Sequence, residues 1–349
     1  MIGYLRSLDR KGLLAGLGAM SVLGLGVVLG SGNLRHYDPI LLTYTFGALF
    51  SAFAVAYRYT VWLQRPPTAL YVRRGRQLLL RGNVLRNLWT VLGAAREKLV
   101  THRFIRKRGF LRWFIHFNLA WGTMLACAVT FPLVFGWLHF QSRPDDPTAY
   151  EVVFLGVGLG SFRTDSPVRF VMFNLLNLSA IMVILGALLA LHRRLRNEGS
   201  ATRQQFGNDI LPLLLLLAIS VTGLFLTFST HALGGAGYAV LSLIHAVTVC
   251  ATLLYLPFGK FFHIFQRPAQ LGVVLYRREN ARAEPARCRS CGEGFAGAMH
   301  VADLKAVMAA TGFGWDRHLE TCPRCRRRLL GAARARSVRP APVPEEAAP

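Results

Sequence analysis

The sequence contains six apolar stretches, each long enough to cross a lipid bilayer as an α-helix. A bilayer core of about 30 Å needs about 20 consecutive apolar residues. Among charged residues, these stretches contain only Arg58 and Lys260, which lie close enough to a helix end to reach the headgroups. The stretches run over 13–30, 39–62, 113–138, 170–191, 210–231 and 238–265. They predict an all-α integral membrane protein, a six-helix transmembrane bundle, and exclude an ordinary soluble enzyme.

The basic residues of the chain indicate its orientation. The chain has 41 Lys and Arg against 17 Asp and Glu, a net charge of +24. With the N-terminus inside, the four inner segments hold 35 of these 41 residues, whereas the outer loops hold four. The inner segments are 1–12, 63–112, 192–209 and 266–349, and the outer loops are 31–38, 139–169 and 232–237. The positive-inside rule then predicts an inner or plasma membrane protein with both termini in the cytoplasm. This orientation explains the positive net charge, so no nucleic-acid partner is needed to account for it.

Two inner segments are large. Residues 63–112 follow two N-terminal membrane helices within 1–62 and have the pattern of a basic amphipathic helix, with leucines among arginines. We expect this segment to lie on anionic headgroups, and a docking surface for a soluble partner is the alternative. The chain ends in a stretch rich in Pro, Ala and Glu, residues 337–349, for which we expect disorder.

Five of the ten histidines lie inside or at the ends of the expected membrane helices. An imidazole in hydrocarbon is costly and therefore marks a candidate functional site. These five are His116, His139, His231, His245 and His263. The other five are expected to be solvated in loops or soluble parts, and they are His36, His102, His192, His300 and His318.

The spacing of two histidines predicts haem ligation. His245 and His263 are 18 residues apart, about five full helical turns, so on one helix both would face the same side at about 27 Å separation. This suits two stacked b-type haems, each taking its second imidazole from another helix. His116, one turn inside the third helix, is the expected partner of His263. For His245 we favour His231, with His139 and Met124 as alternatives, and a single haem is also compatible with the pattern.

Two stretches of the chain carry a family resemblance. The segment His245–Ala–Val–Thr, continued by Tyr255–Leu–Pro–Phe–Gly–Lys260–Phe–Phe–His263–Ile–Phe–Gln–Arg–Pro268, resembles the last membrane helix of the respiratory nitrate reductase gamma-subunit family. That family includes cytochrome b subunits of sulfite-reductase-associated and heterodisulfide-reductase-like membrane complexes. The segment His116–Phe–Asn–Leu–Ala–Trp–Gly122–Thr resembles its earlier haem-bearing helix. The resemblance covers residues 113–275.

The resemblance implies a specific function. Subunits of that family hold two b haems and pass electrons between membrane quinone and a cytoplasmic iron–sulfur subunit, in some complexes with molybdenum. By position, His116 and His263 would bind the haem nearer the cytoplasm, and His245 the outer one. The nitrate reductase branch has a second histidine ten residues after the first, where this chain has Ala126. Because of this departure, the resemblance does not supply the last of the four axial ligands, which would belong to the outer haem.

Two charged residues near the expected haem ligands have alternative interpretations. Lys260 precedes His263 by three residues, on nearly the same helix face. It either extends to the headgroups or offers a cation to a haem propionate or a quinone oxygen. Asp209, at the start of the fifth helix, is expected to be a solvated acid favoured by the helix dipole.

The C-terminal part contains a four-cysteine metal module, residues 284–330. Cys288 and Cys291 form one C-x-x-C pair, and Cys322 and Cys325 form a second pair after an intervening thirty residues. Each pair places two thiolates on one side of a tetrahedral site. A structural zinc ribbon is our first choice, and a rubredoxin-like iron site is the first alternative, since both metals accept four thiolates. An iron–sulfur cluster is the second alternative. Cys127 and Cys250 are expected to be small buried hydrophobes.

Three functions compete at this level. The first is a membrane cytochrome b subunit, a redox component of a quinone-linked oxidoreductase complex with no catalytic centre beyond a quinone pocket. The second is a transporter whose histidines form a proton or metal path. The third is a membrane-anchored scaffold whose metal module binds another protein without haem. We favour the first, and a visible absorption spectrum distinguishes it from the others.

Overall fold

The computed structural model describes residues 9–196 and 204–338. Within them, six helices have the length and apolar composition of membrane spans, which identifies a multi-pass membrane protein. The spans are Arg10–Gly30, Pro39–Gln64, Phe110–Val134, Pro167–Arg196, Phe206–Ala232 and Tyr238–Tyr255. The expected all-α membrane architecture with a C-terminal four-cysteine cluster is confirmed.

The elements follow one another in this order. The helices up to the fourth span are α1 Arg10–Gly30, α2 Leu42–Gln64, α3 Pro66–Leu80, α4 Val84–Ala95, α5 Arg103–Arg106, α6 Phe110–Val134 and α7 Pro167–Arg196. The later helices are α8 Leu211–Ala232, α9 Tyr238–Tyr255, α10 His263–Ala269, α11 Val273–Arg282, α12 Ala298–Ala310, α13 Asp316–Leu319 and α14 Pro323–Val338. The strands are β1 Leu138–Ser142, β2 Ala149–Phe154, β3 Val157–Arg163, β4 Pro285–Arg287 and β5 Gly294–Gly297.

The chain divides into two compact units. The membrane unit consists of Met1–Trp62 with Ala95–Ala269, and the tail unit consists of Leu63–Ala94 with Gln270–Pro349. The expected cytoplasmic segment 63–112 is therefore divided between the two units. The Pro/Ala/Glu-rich stretch that we expected to be disordered lies almost wholly outside the described residues, although α14 includes Ser337 and Val338.

Small residues bring α6 and α7 into close contact in the membrane unit. A Cβ atom on Gly122 would lie 3.0 Å from the Ser179 carbonyl oxygen, and one on Gly186 would lie 3.1 Å from the Ile115 carbonyl oxygen. Membrane helices gain most from close packing when small residues line their interface, because lipid tails are as apolar as leucine. Gly122, which belongs to the segment of α6 that starts at His116, thus serves the contact with α7.

The sixth span is shorter than predicted. We expected one helix over 238–265, but α9 ends at Tyr255, and a turn containing Pro257 and Gly259 precedes a 3₁₀ turn at Lys260–Phe262 and then α10. Proline disfavours the helical conformation of the residue before it and lacks a backbone N–H, so a helix tends to end nearby. His245 and His263 therefore lie on different helices, and the prediction that they share one helix face is wrong.

Arg58 on α2 supports this turn. Its guanidinium donates to the Pro257 carbonyl oxygen and lies 4.3 Å from the centre of the Phe262 ring. The expected extension of Arg58 to the headgroups is thus corrected, because its side chain contacts the carbonyl and ring of this turn. One charged side chain thereby satisfies a carbonyl left without a helical partner.

The segment expected as an outer loop, 139–169, contains an antiparallel sheet. The strand order is β1–β2–β3, with Leu138 opposite Phe154 and Ala149 opposite Arg163. The third span ends at Val134, and Gly136 adopts a positive φ of 68° before β1 begins. His139 therefore lies on a strand and not at the end of a membrane helix.

The tail unit packs α3 against the C-terminal part of the chain. Gly75 lies close to Gly272, since a Cβ atom on Gly75 would be 3.4 Å from the Gly272 Cα. Leu275 and Tyr276 on α11 are 2% and 4% exposed. Helix α3 is therefore held by the C-terminal part of this chain itself.

Candidate functional sites

The four cysteines of the tail unit form one cluster. The sulfur atoms of Cys288, Cys291, Cys322 and Cys325 all lie within 4.8 Å of one another. Those of Cys291 and Cys322 are 3.8 Å apart. Metal–sulfur bonds of about 2.3 Å in tetrahedral geometry place neighbouring sulfur atoms about 3.8 Å apart. The cluster can therefore hold a single metal ion such as zinc or iron.

The first cysteine pair is shaped by a tight turn after strand β4. Gly292 adopts a positive φ of 71°, which glycine tolerates without steric cost, and its N–H donates to the Cys288 carbonyl oxygen at 2.8 Å. The Ser290 N–H points at the Cys288 sulfur at 3.4 Å. The turn thus orients both thiols toward the same point and supplies amide donors to sulfur.

The second cysteine pair lies at the start of helix α14. The Cys325 N–H donates to the Cys322 sulfur at 3.4 Å, and the Cys322 N–H donates to the Cys288 sulfur at 3.2 Å. The positive end of a helix dipole also stabilises a thiolate there. Backbone donors thereby link the two pairs, which are otherwise separated by helix α12.

The electrostatics of the cluster favour one thiolate before any metal binds. The backbone N–H of Cys322 lowers the pKa of Cys288 to about 6. The neighbouring Cys322 thiol instead raises the pKa of Cys325 to about 12. A metal ion can thus meet one ligand already ionised and displace protons from the others.

In the membrane unit, His116 has imidazole neighbours on two sides. The rings of His102 and His116 are 4.7 Å apart at an angle of 78°. His263 and the Arg267 guanidinium also lie close enough to His116 to interact with it electrostatically. Within the described residues, no ring contact or hydrogen bond joins His116 to His263, so the pairing of these two histidines stays a prediction, and the single helix that was to carry His263 is not present.

His102 was expected to be a solvated loop histidine, and this expectation is wrong. Its side chain is buried, its backbone has a positive φ of 48°, and its Nδ1 atom has no hydrogen-bond partner among the described residues. Burial lowers the pKa of His102, and the charge of Arg267 lowers it further. A neutral, buried imidazole beside His116 is a functional candidate that no sequence motif indicated.

His263 is held in a defined tautomer. Its Nδ1 atom is 2.5 Å from the backbone oxygen of Lys260. A carbonyl oxygen only accepts hydrogen bonds, so Nδ1 must carry the proton, and Nε2 retains its lone pair. Metal-binding histidines commonly show this arrangement, in which the second nitrogen donates to an oxygen. The ring nitrogen that would bind a metal is therefore available.

His245 has the same arrangement within the membrane. Its Nδ1 atom is 2.8 Å from the Thr222 hydroxyl oxygen on α8, and that hydroxyl is 2.7 Å from the Ala218 carbonyl oxygen. Since the hydroxyl donates to the carbonyl, it accepts from Nδ1–H, and Nε2 again keeps its lone pair. Gly223 leaves room for the ring, because a Cβ atom there would lie 3.4 Å from His245 Cε1.

The three candidate partners of His245 lie in different surroundings. His231 is exposed in the last turn of α8. His139 stacks on His36, with ring centres 4.0 Å apart at 11°, and its buried Nδ1 atom has no hydrogen-bond partner in the part of the chain that the structure describes. Met124, the third alternative, is 56% exposed on α6. Within the described residues, no hydrogen bond or ring contact joins any of these three to His245.

Lys260 and Asp209 form an ion pair. The Lys260 ammonium is 2.6 Å from one Asp209 carboxylate oxygen, and an Arg194 guanidinium nitrogen is 3.5 Å from the same oxygen. Asp209 is therefore not the solvated acid that we expected but the acceptor shared by two cations. The ion pair draws the segment before α8 and the turn before α10 together, three residues from His263.

Comparisons with known proteins place no further constraint on these sites. No protein-family model matches the chain, and neither a curated protein nor a solved structure matches it.

Proposed function

We propose that the chain is a membrane cytochrome b subunit, a redox component that transfers electrons between membrane quinone and a cytoplasmic iron–sulfur oxidoreductase, in some forms with molybdenum. The observation that supports this best is the tethering of His245 and His263. Both imidazoles donate from Nδ1 to an oxygen, which leaves Nε2 for iron. Two membrane-associated histidines in the ligand tautomer are unusual for residues that only fill space.

The residues fit b-type haem better on one side of the bundle than on the other. His263 and Arg267 both act electrostatically on His116, and we propose that Arg267 is the cation for a propionate. The Nε2 atom of His245 keeps its lone pair, but no second imidazole of the described residues contacts it. We therefore propose one haem between His116 and His263, and a second at His245 only where His231 or another ligand moves toward it.

Bound haem would supply one-electron chemistry at a potential set by its axial ligands and surroundings. The chain's own contribution is to hold the imidazoles, exclude water and neutralise charge. Lys260 is committed to Asp209, and we propose that this pair supports the turn that carries His263. A quinone oxygen that approached Lys260 would have to compete with that carboxylate.

The tail unit fits a docking role in this proposal. We propose zinc in the four-thiol cluster because both C-x-x-C pairs are rigidly placed by backbone hydrogen bonds, as suits a structural site. The charge asymmetry of the segments supports a cytoplasmic position for this unit, where it would meet the soluble partner. Iron in the cluster would instead make the unit an electron relay.

A reduced-minus-oxidised visible spectrum with a haem count tests the proposal. The protein is purified from membranes of a haem-competent host, together with the variants His116→Ala and His263→Ala and the control His318→Ala. We expect b-type absorption in the wild type and the control, and its loss in the two ligand variants. Well-folded wild-type protein without haem would refute the electron-transfer function and favour the transporter or the scaffold.

A further inference from the structure

Helix α4 of the tail unit has one face that is fixed by polar contacts. The Asn87 side-chain amide donates to the carbonyl oxygens of Leu78 and Arg81, both at 2.9 Å. The Asn87 side-chain oxygen and the Thr90 hydroxyl both accept hydrogen bonds from the Arg278 guanidinium. This face therefore packs against the rest of the tail unit.

The opposite face of α4 is apolar and exposed. Four residues at positions i, i+3, i+4 and i+7 form a single stripe along it. At about 100° per residue, this stripe is centred about half a turn away from Asn87. The stripe consists of Leu85, Leu88, Trp89 and Leu92, which are 70%, 43%, 72% and 48% exposed. A soluble surface rarely leaves so large an apolar patch uncovered.

The segment that carries the stripe contains charge of one sign only. Residues 63–96 contain seven arginines and no Asp or Glu. Arg81, just before α4, lies 3.6 Å from the Glu279 carboxylate of α11, but its side chain is 77% exposed, and Arg86 on the helix is exposed as well. Leucine and tryptophan on one side with arginine at the flanks is the composition of helices that lie in the interface of anionic bilayers.

The connectivity of the chain joins the segment of α4 to the bilayer at both of its ends. The segment that contains α4 links the span that ends at Gln64 to the span that begins at Phe110. Two successive spans are joined on one side of the membrane, so both ends of this segment meet the same leaflet. Helix α4 begins 20 residues after the span that ends at Gln64, and it ends 15 residues before the span that begins at Phe110.

We propose that α4 is an interfacial anchor that inserts its Leu85–Leu88–Trp89–Leu92 stripe into the headgroup region of an anionic leaflet. The flanking arginines bind lipid phosphates, because an anionic surface attracts the basic residues of a segment that lies on it. The proposal requires the membrane spans but not haem. Because Arg278 ties α4 to α11, insertion also holds the four-thiol cluster of the tail unit at the membrane surface.

Trp89 provides a direct test in the full-length protein. The protein is placed in nanodiscs of anionic phosphatidylglycerol with or without bromine on the acyl chains, which quenches tryptophan on contact. Subtracting the emission of Trp89→Phe from that of the wild type isolates Trp89 from the other tryptophans. Trp315→Phe is the matched control, since Trp315 is 54% exposed in the same tail unit but away from the stripe.

We expect the Trp89 component to lose about half or more of its intensity in brominated lipid, as suits a ring in the interface. The Trp315 component should be unaffected by bromine and quenched by aqueous acrylamide. The Trp89 quenching should decrease when the anionic lipid is replaced by phosphatidylcholine. If bromine does not quench the Trp89 component, the proposal is overturned, whether acrylamide quenches that component or a protein partner shields it.

Discussion

Asp303 connects the four-cysteine module to helix α3, and its removal should loosen that contact by a predictable amount. Its carboxylate accepts from the Arg74 guanidinium at 2.7 and 3.1 Å and from the Tyr276 hydroxyl at 3.0 Å. The carboxylate side chain is 7% exposed, and that of Arg74 is 36% exposed. We therefore take Asp303→Ala as the perturbation.

The expected loss follows from what the substitution leaves behind. The Tyr276 hydroxyl would lose its acceptor at 3.0 Å and keep only the longer contact with His300 Nδ1 at 3.4 Å, and a poorly satisfied buried hydroxyl costs about 1–3 kcal/mol. The ion pair adds less than a fully buried one would, because Arg74 is partly exposed and can turn to water. We expect a total of about 2 kcal/mol, which corresponds to about a 30-fold faster local opening.

Hydrogen exchange of the full-length protein measures this opening. Peptides from α3 and α12 should exchange about 30-fold faster in Asp303→Ala, and about fivefold faster in Tyr276→Phe, which removes only one hydrogen bond worth about 1 kcal/mol. The exposed Asp316 in the same unit supplies the control, Asp316→Ala, which should exchange like the wild type. If the Asp303→Ala peptides also exchanged like the wild type, this network would not hold α3 to the module.

Three further predictions concern the candidate ligands. Cys288→Ser should lower the metal content from about one ion per chain to a small fraction, measured by elemental analysis, whereas Cys127→Ser should retain it. Thr222→Val should raise the midpoint potential of any haem bound at His245 by about 40 mV. The hydrogen bond that is lost, worth about 1 kcal/mol, makes the His245 imidazole a stronger electron donor to oxidised iron. An unchanged midpoint potential in a redox titration would contradict this. His102→Ala should leave the haem content unchanged, since we assign ligation to its neighbours, and a loss of haem would identify His102 as a ligand.

The membrane spans and the cysteine cluster could be predicted because both depend on short-range patterns. A stretch of about 20 apolar residues is sufficient to predict a span, whatever its neighbours are. Two C-x-x-C pairs bring two thiols together locally, and a metal requirement brings the pairs to each other. The structure places all four thiols within 4.8 Å, as this reasoning requires.

The end of the sixth span could not be predicted in the same way. Hydropathy remains high through Leu256, Phe258, Phe261 and Phe262, so an apolar window continues across the turn. Only Pro257 and Gly259 interrupt the pattern, and membrane helices tolerate both residues when a neighbour satisfies the freed backbone groups. Here Arg58 from α2 supplies such a partner to the turn itself. That contact spans 199 residues of sequence and leaves no local signal.

The histidines show the same division between local pattern and tertiary structure. Counting residues singled out His245 and His263, but by an incorrect argument, since the two do not share a helix. What the structure adds is the partner of each Nδ1 atom: Lys260, three residues away, and Thr222, on another helix. The Lys260 carbonyl oxygen also accepts the backbone N–H of His263 within the 3₁₀ turn, so this one oxygen is bound by both the backbone and the side chain of His263. The side chain of His263 is therefore fixed by the turn that ends the sixth span, and a continuous helix over 238–265 could not have predicted this contact.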